Sequence, residues 1–232
     1  MRNTGLKRKS NAQVPIWSVG YLSSRALVGA LKPACAGLRG CTLDLGCGNS
    51  PYRPLLTGIS DYVPYDVDKA STGAQVIGSA ESLPFASAVF DSVLCTQVLE
   101  HVSQPGRVIG EAARVLRPGG RLVLSAPQAW RLHEQPYDYF RYTRYGLESL
   151  LTTADLRIQT CQPTGGVWTL TGQIINNHIW RNPPANRMAW VMSRTLCSLT
   201  SIVINASART LDQVAYDPED TLNYVIMAEK PA

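Results

Sequence analysis

The stretch RLHEQPYDYFRYTRYG, Arg131–Gly146, concentrates groups that bind and move charge. It holds four of the ten tyrosines, three arginines and one of the three histidines. An imidazole titrates near neutrality, so His133 is a candidate general base. Asp138 can orient that base, bind a substrate or be the base itself. Arg141 and Arg144 can grip an anionic group such as phosphate or carboxylate. Tyr137, Tyr139 and Tyr142 offer aromatic walls and hydroxyls. A structural alternative stands beside these roles: Asp138 and Arg141 brace the segment, while Tyr142 and Tyr145 face the core at the start of a helix.

A second stretch, LDLGCGNSP over Leu43–Pro51, has different chemistry. A strand that turns through Gly46 and Gly48 brings backbone close to a ligand and aims N–H groups at it. Pro51 stands where a dinucleotide fingerprint would have its last glycine. Asp66 follows Gly46 by twenty residues, at the end of a second strand. An acid there can accept hydrogen bonds from ribose hydroxyls, or serve as a turn residue before Asp68.

These groups need elements to position them. Apolar residues at helical spacing predict a helix within Ile16–Ala36, ended by Pro33 and Gly37. Strands are predicted at Cys41–Gly46, Tyr62–Asp66, Gln75–Gly78, Phe90–Cys95 and Arg121–Ala126, with Pro64 marking a strand end or bulge. Ser103 is a candidate cap for a helix to Leu116, with Pro105 in its first turn and RPGG stopping it. Thr143 is a candidate cap for a helix ending near Thr153. A sixth strand is expected at Leu156–Cys161, two helices over Gly166–Ala208 broken at Asn182-Pro183-Pro184, and a last strand at Leu222–Glu229. Alternating helices and continuous apolar strands predict an α/β fold: a Rossmann-like, seven-stranded, mostly parallel sheet with helices on both faces. The expected organisation is a flexible basic tail over residues 1–15 and one domain over 16–232 with a helical insertion over 166–208.

The net charge is +5, and Arg2, Lys7, Arg8 and Lys9 supply four of those charges, leaving the rest of the chain at +1. That balance argues against a nucleic-acid partner. No apolar run with a cleavage site follows the tail, so a cytoplasmic location is expected. The six cysteines form no CxxC pair and read as free thiols, with no metal site. The apolar stretch Thr195–Ala208 is 14 residues long, short of the ~20 a membrane span needs. Trp168, Trp180 and Trp190 could wall an apolar acceptor pocket, touch a membrane surface peripherally, or form the core of the insertion; Trp17 and Tyr21 could belong to a lid.

Taken in order, LDLGCGNSP, YDVD, AESLPF, FDSVLCTQVLEHV and LRPGGRLVLSAP closely resemble the class I S-adenosylmethionine-dependent methyltransferases, nearest to the type-11 family. The resemblance is dense over Thr42–Pro127. It implies that the sheet's last strand is antiparallel and that the cofactor is S-adenosylmethionine, released as S-adenosylhomocysteine. It implies that Asp44, Gly46, Cys47 and Gly48 lie against the methionine part of the cofactor. Asp66 then holds the ribose, Val67 lies beside the adenine, Ser79, Ala80 and Glu81 read the adenine edge, and Thr96 and Gln97 line the pocket. Many relatives have Asp at Ser79 and a third Gly at Ser50. Glu100 then starts a helix, and His101 either faces the acceptor or packs. The function implied is methyl transfer to a small-molecule acceptor, anionic or apolar, through an O or N nucleophile in natural-product, glycan or lipid metabolism, with His133, Asp138 and Arg141 as catalytic candidates. The alternative is a protein of this fold that binds the cofactor without methylating, as a scaffold or in a reaction such as a cyclisation.

Overall fold

The computed structural model describes residues 14–69, 73–181 and 186–232. The expected basic tail lies largely, and the Asn182-Pro183-Pro184 break wholly, outside the described residues. The chain divides into two compact units: Ala30–Gln162 with Asn223–Ala232, and Pro163–Leu222 with the described part of Asn11–Gly29.

The first unit is a seven-stranded sheet. Its strands are β1 (Gly40–Leu45), β2 (Ile59–Asp66), β3 (Val76–Ile77), β4 (Phe90–Thr96), β5 (Leu116–Pro127), β6 (Arg157–Pro163) and β7 (Asn223–Glu229), in the order β3-β2-β1-β4-β5-β7-β6. β1 pairs in parallel with β2 and β4, β2 with β3 and β4 with β5, while β7 runs antiparallel to β5. Leu43, Leu45, Val93, Leu94, Leu122 and Leu124 are buried, as a sheet covered on both faces demands. Among its helices, α2 (Pro105–Val115) presents Val108, Ile109, Ala112 and Val115 to the core. α3 (Arg144–Thr153) starts where the Thr143 hydroxyl accepts from the Gly146 N–H at 3.1 Å.

Several expectations are corrected. Pro33 lies inside α1 (Tyr21–Cys35), in its last turn, and does not end it. Pro64 sits within β2 in register with Asp44. Its carbonyl accepts from Gln75 N–H on the β3 side, and a parallel strand points N–H and C=O the same way, so its missing donor faces the edge where β3 offers only two residues. Ser103 does not cap α2. The Glu81 carboxylate does so instead, accepting from Gln104 N–H at 3.2 Å and from the Ser103 hydroxyl at 3.4 Å. RPGG does follow the end of α2, but it continues into β5, where the register with β4 shifts between Phe90 and Ser92.

The second unit centres on α4 (Val167–Ile179) and α5 (Arg187–Val214), the latter running past the expected end at Ala208. Gly172 lets them approach: a Cβ there would lie 3.0 Å from that of Ala208. Buried Asn176 donates to Asn205 at 2.8 Å and accepts from Ser201 at 2.8 Å, so the polar contacts inside the pair are satisfied mutually. Asp212 on α5 accepts from the N–H groups of Gly166, Trp168 and Thr169 and so caps α4. Arg194 lies over the rings of both Trp180 and Trp190. No helix among the described residues is long and apolar enough to cross a membrane.

Candidate active site

The site residues expected from the sequence lie in the loops that follow the parallel strands β1 to β5, where open α/β sheets bind ligands. The β1 end is built from backbone. Gly46 has φ +74° and a Cβ there would meet Val98 Cγ2 at 2.2 Å, so only glycine fits. The N–H groups of Gly46 and Cys47 both donate to the Tyr65 carbonyl, at 2.9 and 3.0 Å, tying this loop to β2. Gly48 has φ +54°, and a Cβ built on it meets nothing within 4 Å. The loop is therefore pinned at Gly46 and open at Gly48.

Asp66, at the end of β2, fixes the same loop. Its Oδ2 accepts from Gly48 N–H at 2.8 Å, while Oδ1 accepts from Val67 N–H at 2.7 Å and Asp68 N–H at 3.2 Å. A carboxylate offers about four lone-pair sites, so one acceptor direction stays open to a ribose hydroxyl. Beside it Val67 is 73% exposed and Ile77 41% exposed, an apolar surface that a flat base would cover. The loop after β3 is held by Tyr65, whose hydroxyl donates to the Ser79 carbonyl at 2.9 Å. Ser79 is exposed and its hydroxyl accepts from Glu81 N–H at 3.2 Å, while Ala80 and Glu81 are half-buried.

Asp44 lies beneath the loop, buried, and its carboxylate accepts from the Tyr62 hydroxyl. Burial pushes its pKa up to about 7, against the Tyr62 hydrogen bond and with help from the nearby Asp66 charge. Cys47 is also buried; its thiol donates to the Gly48 carbonyl, and burial pushes its pKa up to about 12. Thr96 is buried at the end of β4. Gln97 follows with φ +55°, unusual for a residue with a side chain, its N–H on the Ser125 carbonyl and its amide on the Ser125 hydroxyl.

The β4 and β5 ends are built from side chains. After β5 the chain returns so that Tyr142 N–H donates to the Pro127 carbonyl and the Tyr142 hydroxyl to the Leu99 carbonyl, each at 2.8 Å. Tyr142 is thus a buried anchor, whereas Tyr145 is 76% exposed and does not face the core. Arg141 spends all five of its N–H donors inside the segment: two on Asp138 at 2.7 and 2.9 Å, and one each on the carbonyls of Trp130, Phe140 and Arg131. Its guanidinium holds the Asp138 carboxyl well below the usual carboxylate range. Arg144 pairs with Glu148 at 2.7 Å on α3.

His133 donates its backbone N–H to Asp138 at 2.9 Å, and its Nδ1 lies 3.3 Å from the same oxygen. Burial and the neighbouring His101 push its pKa down, so the ring is neutral at pH 7. His101, which the resemblance left between facing the acceptor and packing, meets it edge to face with centroids 4.7 Å apart. His101 Nδ1 lies 2.7 Å from the Tyr137 carbonyl, which only accepts, so Nδ1 carries a proton, and in the neutral tautomer the lone pair is on Nε2. His101 and His133 are separated by 32 positions in the chain, and only the return of the loop reveals their contact.

Residues 43–124 match the family described as methyltransferase domain. The chain is 38% identical over 104 residues to the malonyl-[acyl-carrier protein] O-methyltransferase of Herminiimonas arsenicoxydans, covering 40% of each chain. It is 37% identical over 111 residues to the 27-O-demethylrifamycin SV methyltransferase of Amycolatopsis mediterranei, again over 40% of each. It therefore spans less than half the length of either relative. The solved [4+2]-cyclase SpnF shares the fold, with a TM-score of 0.57 and 17% identity over 90% of this chain and 81% of that one. The open glycine turn, the Asp66 carboxylate and the exposed Val67 are compatible with S-adenosylmethionine, and over residues 43–124 the chain is similar to S-adenosylmethionine-dependent methyltransferases.

Proposed function

We propose that the chain transfers the methyl group of S-adenosylmethionine to a hydroxyl or amine of a small molecule held at the β4 and β5 ends. The observation that carries this reading is the convergence at one sheet edge of the glycine turn with Asp66 and the His101–His133 pair. The sulfonium makes the methyl an electrophile when the cofactor is bound, and the protein's own residues bind and align. Asp44, Gly46, Cys47, Gly48, Thr96 and Gln97 shape the methionine end, and Asp66, Val67, Ser79, Ala80 and Glu81 the adenosine end. What remains is to hold the acceptor in line and exclude water.

A hydroxyl or protonated amine must also lose a proton. His133 is the candidate that takes it, through a neutral ring. Asp138 holds the His133 backbone N–H, and Arg141, with every donor engaged, fixes Asp138 without reaching an anion itself. The two named O-methyltransferase relatives favour an oxygen nucleophile. The test is incubation of the protein and S-adenosylmethionine with a panel of hydroxylated and amino small molecules, following S-adenosylhomocysteine. Methylated product that disappears in Asp66→Ala and falls sharply in His133→Ala supports the reading. Chemical conversion of an acceptor without S-adenosylhomocysteine would establish the non-methylating alternative instead.

A further inference from the structure

We propose that Glu100, His101 and His133, with Glu134 closing from solvent, form a binding site for a divalent first-row transition-metal ion. One ligand atom from each of Glu100, His101 and His133 lies within 4.8 Å of the others. His101 Nε2 is 3.8 Å from Glu100 Oε1 and 3.8 Å from Glu134 Oε2. Among the described residues neither His101 Nε2 nor His133 Nδ1 has a hydrogen-bond partner, though both atoms are shielded from solvent. Buried imidazole nitrogens without partners are rare enough to need a reason.

The surroundings have the form of a ligand shell. The Tyr137 carbonyl accepts from His101 Nδ1 and so turns Nε2, the ligand atom of the neutral tautomer, toward the two carboxylates. Such a carbonyl is the usual outer partner of a metal-bound histidine. The Glu100 carbonyl accepts from Tyr139 N–H at 2.8 Å, and Asp138, locked by Arg141, holds the His133 backbone. Two carboxylates neutralise a dication in a buried setting. Imidazole with carboxylate and no thiolate suits zinc, cobalt, manganese, nickel or ferrous iron. Metal–ligand bonds are about 2.0–2.2 Å, so ligand atoms in a tetrahedral shell stand about 3.3–3.6 Å apart, and binding must draw the widest pair together by up to about 1.5 Å. Glu134, with a side chain 62% exposed, is free to swing in. Edge-to-face packing of two histidines without a metal is the ordinary alternative.

The experiment uses the full chain, stripped with a chelator and titrated with cobalt(II), whose visible absorption reports its ligand geometry. One equivalent of cobalt with a tetrahedral or five-coordinate spectrum, displaced by zinc, is expected. His101→Ala and His133→Ala should each weaken binding at least tenfold, and His178→Ala, outside the cluster, should leave it unchanged. Far-UV circular dichroism checks the fold, and His133→Gln, which keeps the side-chain bulk, should lose the metal without losing structure. No saturable spectrum in the parent protein overturns the proposal. So does binding equal in the parent and in folded His101 and His133 variants, or a thiolate charge-transfer band showing capture by cysteines. S-adenosylmethionine affinity, set at Asp66, is measured on the same variants and is expected to hold, so loss of metal binding is distinguishable from failure of the methyltransferase reading.

Discussion

The two halves of the sheet's carboxyl edge solve the same problem with different materials. At β1 and β2 the site is made of main chain: two glycines at positive φ, N–H groups shared with Tyr65, and one carboxylate fastened to three backbone donors. At β4 and β5 it is made of side chains: an arginine with five bonds, an acid beneath it and two histidines in edge contact. Backbone geometry is unforgiving and can serve a cofactor of fixed shape. Side chains are exchangeable on a constant scaffold, which suits an acceptor that differs from one relative to the next. Substitutions on the first half should therefore strike the cofactor, and substitutions on the second should spare it.

The largest effect should come from Gly46→Ala. The new methyl would lie 2.2 Å from Val98 Cγ2 on a backbone of φ +74°. Overpacking and left-handed strain together cost about 3–5 kcal/mol. Denaturant unfolding should show that loss, and calorimetry should show no S-adenosylmethionine binding. Near-normal binding would break the claim that this half is rigid main chain.

Asp138→Ala comes next and tests the other half. It leaves a part-buried guanidinium without its carboxylate and removes the acceptor of His133 N–H. Stripping one partner from a buried ion pair costs about 3 kcal/mol. The damage should be local, seen as faster hydrogen exchange over residues 131–143, with cofactor affinity changed by less than about twofold. A large loss of cofactor affinity would merge the two halves into one.

Asp44→Asn should move stability the other way. The folded-state pKa of Asp44 is raised to about 7 from an ordinary 3.8, so the folded protein holds this proton over a range in which the unfolded chain has lost it. Stability from this group is fully present below about pH 4 and falls as pH rises to about 7. Asparagine keeps an acceptor for the Tyr62 hydroxyl and removes the buried charge. At pH 8 the variant should be more stable by on the order of 3 kcal/mol, and the gap should close toward pH 4. Denaturation curves across that range check the slope, and a gap that widens on acidification has the wrong sign.

How much of this was legible follows the same division. Each glycine of the β1 turn and the acid twenty residues on announced themselves, because backbone geometry is restricted to a few residue types and fixed spacings. Thr143 was readable as a cap for the same reason. Of the acceptor half, the composition was visible, and so was the alternative in which Asp138 and Arg141 brace the segment and Tyr142 faces the core. That Arg141 uses every donor on its own segment, that Tyr142 anchors on Leu99, and that His101 meets His133 depend on how the loop folds back, which no local pattern encodes. Glu81 illustrates the limit well. The resemblance assigns its tripeptide to the adenine, yet its carboxylate also caps α2, more than twenty positions away. The role of Pro33 and the span of β5 were misjudged because Pro33 and RPGG are local breakers that a last helical turn and a strand bulge accommodate.

The smallest stability change should carry the sharpest test of the contrast. Gly48 shares the left-handed backbone of Gly46, but a Cβ on it points into space where the protein has no atom within 4 Å. Gly48→Ala then costs only the strain of a side chain at φ +54°, about 1 kcal/mol. If that space belongs to the cofactor, the methyl stands against it, and S-adenosylmethionine affinity should fall tenfold or more while the unfolding midpoint barely moves. Gly46→Ala loses binding because the loop breaks; Gly48→Ala should lose it with the loop intact. Unchanged affinity in a stable Gly48→Ala protein would mean that the cofactor does not reach the open end of the turn, and that the backbone half of the site is smaller than its geometry suggests.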